Sequence, residues 1–151
     1  MSPSTNGQSF LLDPQTPPGA TRYAHARVVP PASSHTIYIS GIAAVSPDGT
    51  YEGVTTNADG SYTCDIRVQT AAVLRRIESI IKGASDGQAG LHNIVDATVY
   101  VLDMKTQYAG MNEEWNKIWP DRGSAPTRAT IGVRELPDPR FLVEIKATAI
   151  F

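Results

Sequence analysis

The chain is short of cysteine. Cys64 stands alone, so no intramolecular disulfide is possible and stability has to come from burial; a reducing, cytoplasmic compartment is expected. Long apolar runs are missing too. None approaches the roughly 18–20 residues needed to cross a bilayer, so no membrane partner is expected. The N-terminus has no basic start followed by an apolar stretch, so no secretory signal is expected. Basic charge is not in excess. The net charge is −2, which argues against a nucleic-acid binder held by a broad basic surface.

Cofactor signatures are absent as well. No glycine-rich phosphate cradle of either common spacing occurs. His25, His35 and His92 are scattered, and neither Cys64 nor a carboxylate pair falls at metal-ligand spacing, so no metal is expected. No serine elbow is present, and Cys64 has no local catalytic context. Chemistry in this chain is therefore expected to run without metal or organic cofactor.

What is present reads as one domain. At 151 residues, with 41% hydrophobic and 19% charged content, the chain can build a real core. Residues 1–20 are rich in Pro, Ser, Thr, Asn and Gly and read as a flexible arm, with Phe10-Leu11-Leu12 as the part that packs. Residues 21–151 read as the domain. Tyr23–Val29 is a first strand, cut off by Pro30-Pro31, and His35–Val45 a second, in which Gly41 marks a close approach to the backbone. Pro47-Asp48-Gly49 turns, and Thr50–Thr63 reads as an exposed loop.

Asp65–Lys82 predicts a helix, with Ile66, Thr70, Val73, Leu74, Ile77, Ile80 and Ile81 on one stripe and Gly83 as its stop. Ile94–Leu102 is a nearly continuous apolar strand. Asp103 caps a second helix, Lys105–Trp119, whose buried face carries Tyr108, Met111, Trp115 and Ile118. The order β-β-α-β-α-β-β predicts an α+β fold: a mixed sheet with two helices on one face. The bare face then needs cover, and self-association is one common solution.

The last 26 residues carry the candidate chemistry. Two β-rich runs flank Leu136-Pro137-Asp138-Pro139, and the pair predicts an antiparallel hairpin. Phe141, Val143, Ile145, Ala147 and Ala149 share one face of the second strand, and Leu142, Glu144 and Lys146 the other. A turn centred near Pro137 sets Thr130 opposite Glu144, with Arg128 on the diagonal. Arg128 is then a carboxylate clamp, and Glu144 a group that places water or moves protons in the same space. A slip of one residue in register would part them.

These residues resemble the signature of the Rid family of reactive intermediate deaminases, also called YjgF or L-PSP. The resemblance rests on Pro126-Thr127-Arg128, Leu136-Pro137 and Val143-Glu144-Ile145, with Tyr23, Ser40-Gly41, Gln69-Thr70, Val99–Met104 and Asn112 in order. A narrower resemblance is to bacterial 2-aminomuconate deaminases, through Tyr23-Ala24-His25, Ser46–Thr50, Asp65-Ile66-Arg67 and Leu136-Pro137-Asp138-Pro139. This chain departs from the family in carrying Thr130 where Cys is frequent, and in the proline-bearing stretch at Val29–His35.

The resemblance implies a homotrimer of chorismate-mutase-like protomers with sites in clefts between subunits. It implies cofactor-free hydrolysis of imino or enamino acids, with 2-aminomuconate preferred and a broad 2-aminoacrylate-type activity as the alternative. Arg128 and Glu144 are then catalytic. Gly41 and Thr130 offer backbone groups, Asn112 points in from the second helix, Tyr23 closes the pocket, and His25 and Arg27 meet the far carboxylate. A non-catalytic binder of small acids, or an RNA-directed regulator, is the reading from another class.

Overall fold

The computed structural model describes residues 5–10, 26–29 and 35–151. A four-stranded mixed sheet is the frame. Its strands are β3 (Thr36–Ile42), β6 (Ile94–Val101), β7 (Thr127–Gly132) and β8 (Val143–Ile150), in the order β3-β8-β6-β7. Two helices, α1 (Ile66–Ala84) and α2 (Met104–Ile118), lie on one face, as the element order predicts. Two small antiparallel pairs flank the frame: β1 (Gln8–Phe10) with β2 (Ala26–Val28), and β4 (Val54–Thr56) with β5 (Tyr62–Cys64).

Both helices start where a carboxylate can take the orphan amides of a first turn. Asp65 accepts from Arg67 N and Val68 N at 2.8 and 3.1 Å, and Asp103 accepts from Lys105 N at 2.9 Å. The stripe on α1 is buried from Ile66 through Ile77 to Ile81 and meets Val99, Val101, Val143 and Ile145 from the sheet. Gly83 does not stop the helix. It runs to Ala84, and Ser85 closes it, its hydroxyl donating to Ile81 O at 2.8 Å.

The predicted terminal hairpin does not form. β6 lies between β7 and β8, parallel to the first and antiparallel to the second. The reason is the crossover. β6, α2 and β7 make one β-α-β unit, and its helix returns the chain so that β7 lies alongside β6 in the same direction. An apolar central strand also needs two neighbours, and the segment from Val133 to Leu142 carries the chain past the end of β6 to its far side. Val133 N donates to Val101 O at 2.8 Å and Leu102 N to Leu142 O at 3.2 Å, one on each flank.

Two further expectations change. Within the proposed arm, Gln8–Phe10 is a strand paired with β2. Within Thr50–Thr63, read as loop, β4 and β5 pair through an Asn57–Ser61 turn in which Asn57 N donates to Ser61 O at 2.8 Å.

The face of the sheet away from the helices is open. Tyr38 is 82% exposed and Ile131 44%, while Thr98, Tyr100 and Glu144 are half-buried.

Candidate functional site

Arg128 sits on the helix-covered face of β7, opposite Ala97. Its guanidinium rises to α2. One nitrogen donates to Asn112 Oδ1 at 2.8 Å, another contacts Met111 Sδ at 3.8 Å, and its carbon lies 4.8 Å from the centre of the Trp115 ring. Trp115 in turn packs on Trp119 with centroids 4.4 Å apart. A cation stacked on an indole and fixed at one edge is held in one orientation, as a clamp for a planar anion requires. Thr130 follows two residues on, facing the same way. Its hydroxyl is buried and makes no hydrogen bond among the described residues.

Glu144 lies on the other face. It pairs with Tyr100, which pairs with Ile131, so all three look away from the helices. Arg128 and Glu144 therefore do not share a space within one protomer. The direct pairing of β7 with β8 that would join them is replaced by pairing through β6. Glu144 makes no hydrogen bond or ion pair with the described residues, so its carboxylate stands available.

Gly41 belongs with Glu144. It lies in a bulge of β3 between Ile39 and Ile42. A Cβ built there would collide with the Glu144 carboxylate and stand 2.8 Å from its Cδ. Only glycine lets that carboxylate lie across the strand. The expected close approach at Gly41 is thus an approach by Glu144 itself.

Arg27 is committed elsewhere. Its nitrogens donate to Asn6 O at 2.9 Å, Ala125 O at 2.7 Å, and Gly7 O and Gly123 O at 3.0 and 3.1 Å. Burial lowers its pKa, opposed by the charge of Asp121. These bonds pin β2 and Asn6 to the loop that leads into β7. Tyr23 and His25 lie outside the described residues.

Gln69 belongs to the Gln69-Thr70 motif, and the structure gives it a role. It is buried in α1, where its amide nitrogen donates to Arg140 O at 2.7 Å and its oxygen accepts from Leu142 N at 2.8 Å. This fixes the entry to β8, two residues before Glu144. A polar residue inside an apolar helical stripe was the available signal. Beyond it, Arg140 grips Asp138 through two bonds of 2.8 and 2.6 Å and lies 3.4 Å from the Tyr51 ring centre, while Tyr51 donates to the same carboxylate at 3.1 Å. The Arg140 side chain holds the Asp138 carboxyl well below the usual carboxylate range. Cys64 nearby is half-buried, and burial pushes its thiol up, with the charge of Asp138 adding to the effect.

Among the described residues no group of three or more His, Cys, Asp or Glu side chains could hold a metal ion. None of their helices is long and apolar enough to cross a membrane.

A mixed sheet covered on one face by two helices, with an arginine on its edge strand and a lone carboxylate on the open face, defines a small α+β class of protein. The chain belongs to the Rid family: the family described as "Endoribonuclease L-PSP" matches residues 14–151. A RutC family protein of Aquifex aeolicus is 27% identical over 103 residues, 67% of this chain and 70% of that protein. A YjgF family member from Neisseria meningitidis is 30% identical, covering 76% of this chain and 78% of that one, with a TM-score of 0.54. The Rid protein YyfB of Yersinia pestis, described as of unknown function, has the same fold, with a TM-score of 0.76 at 22% identity over 97% of this chain and 99% of that one.

Proposed function

We propose that the protein is a cofactor-free hydrolytic deaminase of imino and enamino acids whose site forms between copies of the chain. One copy brings Arg128, Asn112 and Thr130 at its β7 edge. The next brings Glu144 and Gly41 on its open face. The carrying observation is that the two halves lie on opposite faces of one sheet, each incomplete alone. A closed trimer, as the family resemblance implies, would repeat the junction three times and cover the open face. A cytoplasmic location goes with this reading.

The chemistry asks little. Arg128 holds the carboxylate of the substrate in a fork. Glu144 takes a proton from water as its oxygen adds to the C=N carbon, and a proton reaches nitrogen. The C–N bond then breaks to leave a keto acid and ammonia. An enamine first takes a proton at carbon to become the imine. The preferred substrate is 2-aminomuconate, giving 4-oxalocrotonate and ammonia; 2-aminoacrylate is the broad-range alternative.

The test is ammonia release from both compounds, generated in situ. Arg128→Ala should lower kcat/KM by roughly 10²–10³, the scale of losing a hydrogen-bonded charge partner. Glu144→Gln should be comparably slow. The two inactive variants, mixed and reassembled, should regain part of the activity, because a junction between an intact Arg128 edge and an intact Glu144 face exists only in mixed assemblies. No recovery from well-mixed assemblies would overturn the shared site.

The description of the matching family as an endoribonuclease favours one other reading, RNA as substrate. The net charge of −2 argues against it, as does the engagement of Arg27, Arg67, Arg75 and Arg140 by carbonyls or carboxylates. Salt-sensitive RNA binding that survives Arg128→Ala would favour it.

A further inference from the structure

We propose that Arg76 receives a second carboxylate of the substrate, making this a site for dicarboxylic imino and enamino acids. The inference rests on the deaminase reading and names the substrate class within it.

A cavity of about 390 Å³ opens beside the β3 bulge. Gly41 and Ile42 line one side, the Ser46–Gly49 turn another, and Arg76 reaches it from α1. Among its lining residues Arg76 is the one ionisable group. The volume suits a short organic acid.

Adjacent arginines are treated differently here. Arg75 pairs with Glu52 at 2.5 Å, and the other oxygen of Glu52 accepts from Ser46 Oγ at 2.8 Å. Glu52 is thereby used on both oxygens. Arg76, half-buried, makes no hydrogen bond or ion pair with the described residues. A cation partly withdrawn from water, in a cavity whose lining residues include no Asp or Glu, favours an anionic ligand.

Gly41 connects this cavity to the reacting centre. It contributes to the wall, and the Glu144 carboxylate lies against it. A substrate with its C=N carbon at Glu144 can extend past the missing side chain toward Arg76. A three-carbon imino acid has nothing to send there. A six-carbon chain with a carboxylate at each end does. Arg27, the sequence candidate for that far end, is bound to backbone carbonyls instead.

The experiment compares KM and kcat for 2-aminomuconate and 2-aminoacrylate in wild type, Arg76→Gln and Arg76→Lys. Arg76→Gln should raise KM for the dicarboxylate by about tenfold to a hundredfold, the range for a lost charge-assisted bond, and leave the monocarboxylate within about twofold. Arg76→Lys should restore part of the difference. Equal change with both substrates, or none, would overturn the role of Arg76 while leaving the deaminase intact. If wild type releases ammonia from neither, the deaminase reading fails separately. Calorimetry with adipate and propionate then decides: adipate binding lost in Arg76→Gln supports the assignment, and unchanged or absent adipate binding overturns it.

Discussion

The two faces of the sheet are built to different rules. On the helix-covered face Val99, Val101, Val143 and Ile145 are almost wholly removed from water, and even the arginine there is stacked on Trp115 and tied to Asn112. On the open face Tyr38 is 82% exposed and Glu144 has no described partner. The first face is finished by its own chain. The second carries aromatic and apolar groups that an isolated protomer leaves in water, beside the carboxylate assigned to the chemistry. Stability therefore resides largely on one face, and the other is left for assembly and substrate.

The sharpest way to break this contrast is a charge on the open face. Tyr38→Glu should leave the circular dichroism of the protomer unchanged but disperse the assembly, and ammonia release should fall to near background. Sedimentation and activity should change together; an active monomer would dissolve the contrast.

Gly41→Ala should act more locally. The new Cβ displaces the Glu144 carboxylate, whose flexible end can move, so folding survives while kcat drops by about tenfold or more, on the scale of misplacing a proton-transfer group. Retained assembly with lost turnover is the expected pair of results.

Gln69→Ala tests the covered face. Leu142 N and Arg140 O lose their buried partners, which costs about 1–3 kcal/mol and several degrees of Tm. Activity should fall less than stability does.

The smallest effect concerns Asp138. Its folded pKa is depressed, so its contribution is present above the ordinary carboxylate range and fades as pH falls through the lower, folded value. Asp138→Asn should therefore lower Tm slightly at neutral pH, and the gap from wild type should persist below the usual carboxylate range and close only in stronger acid.

The helices were legible because their signals are local. Asp65 and Asp103 cap them, and the apolar spacing at Ile66, Val73 and Ile77 sets the buried side of α1. The alternation along β8 likewise placed Glu144 opposite in direction to Val143 and Ile145. Partner choice was not legible. Pro137 and Pro139 announce a reversal, but nothing near them says that β6 intervenes, and that one neighbour moves Arg128 and Glu144 to opposite faces. The contacts of Arg27 were hidden for a similar reason: its acceptors on Gly123 and Ala125 are distant in sequence and are main-chain carbonyls, which leave no trace in residue type. The β4–β5 pair was hidden by polarity, since neither strand has a face that the core covers.

One consequence of the sheet order concerns time. β8 joins β3 to β6, and its register sets Thr36 against Ile150. β3 precedes its partner β8 by α1, β6, α2 and β7, so during synthesis it waits unpaired until β8 emerges. β6, α2 and β7 can meanwhile assemble from near neighbours. By contact separation, docking of β8 between β3 and β6 is expected to be the slowest step. Until then β3 and one side of β6 present bare backbone edges, and this nascent chain is expected to be most vulnerable to mispairing in the interval before β8 arrives.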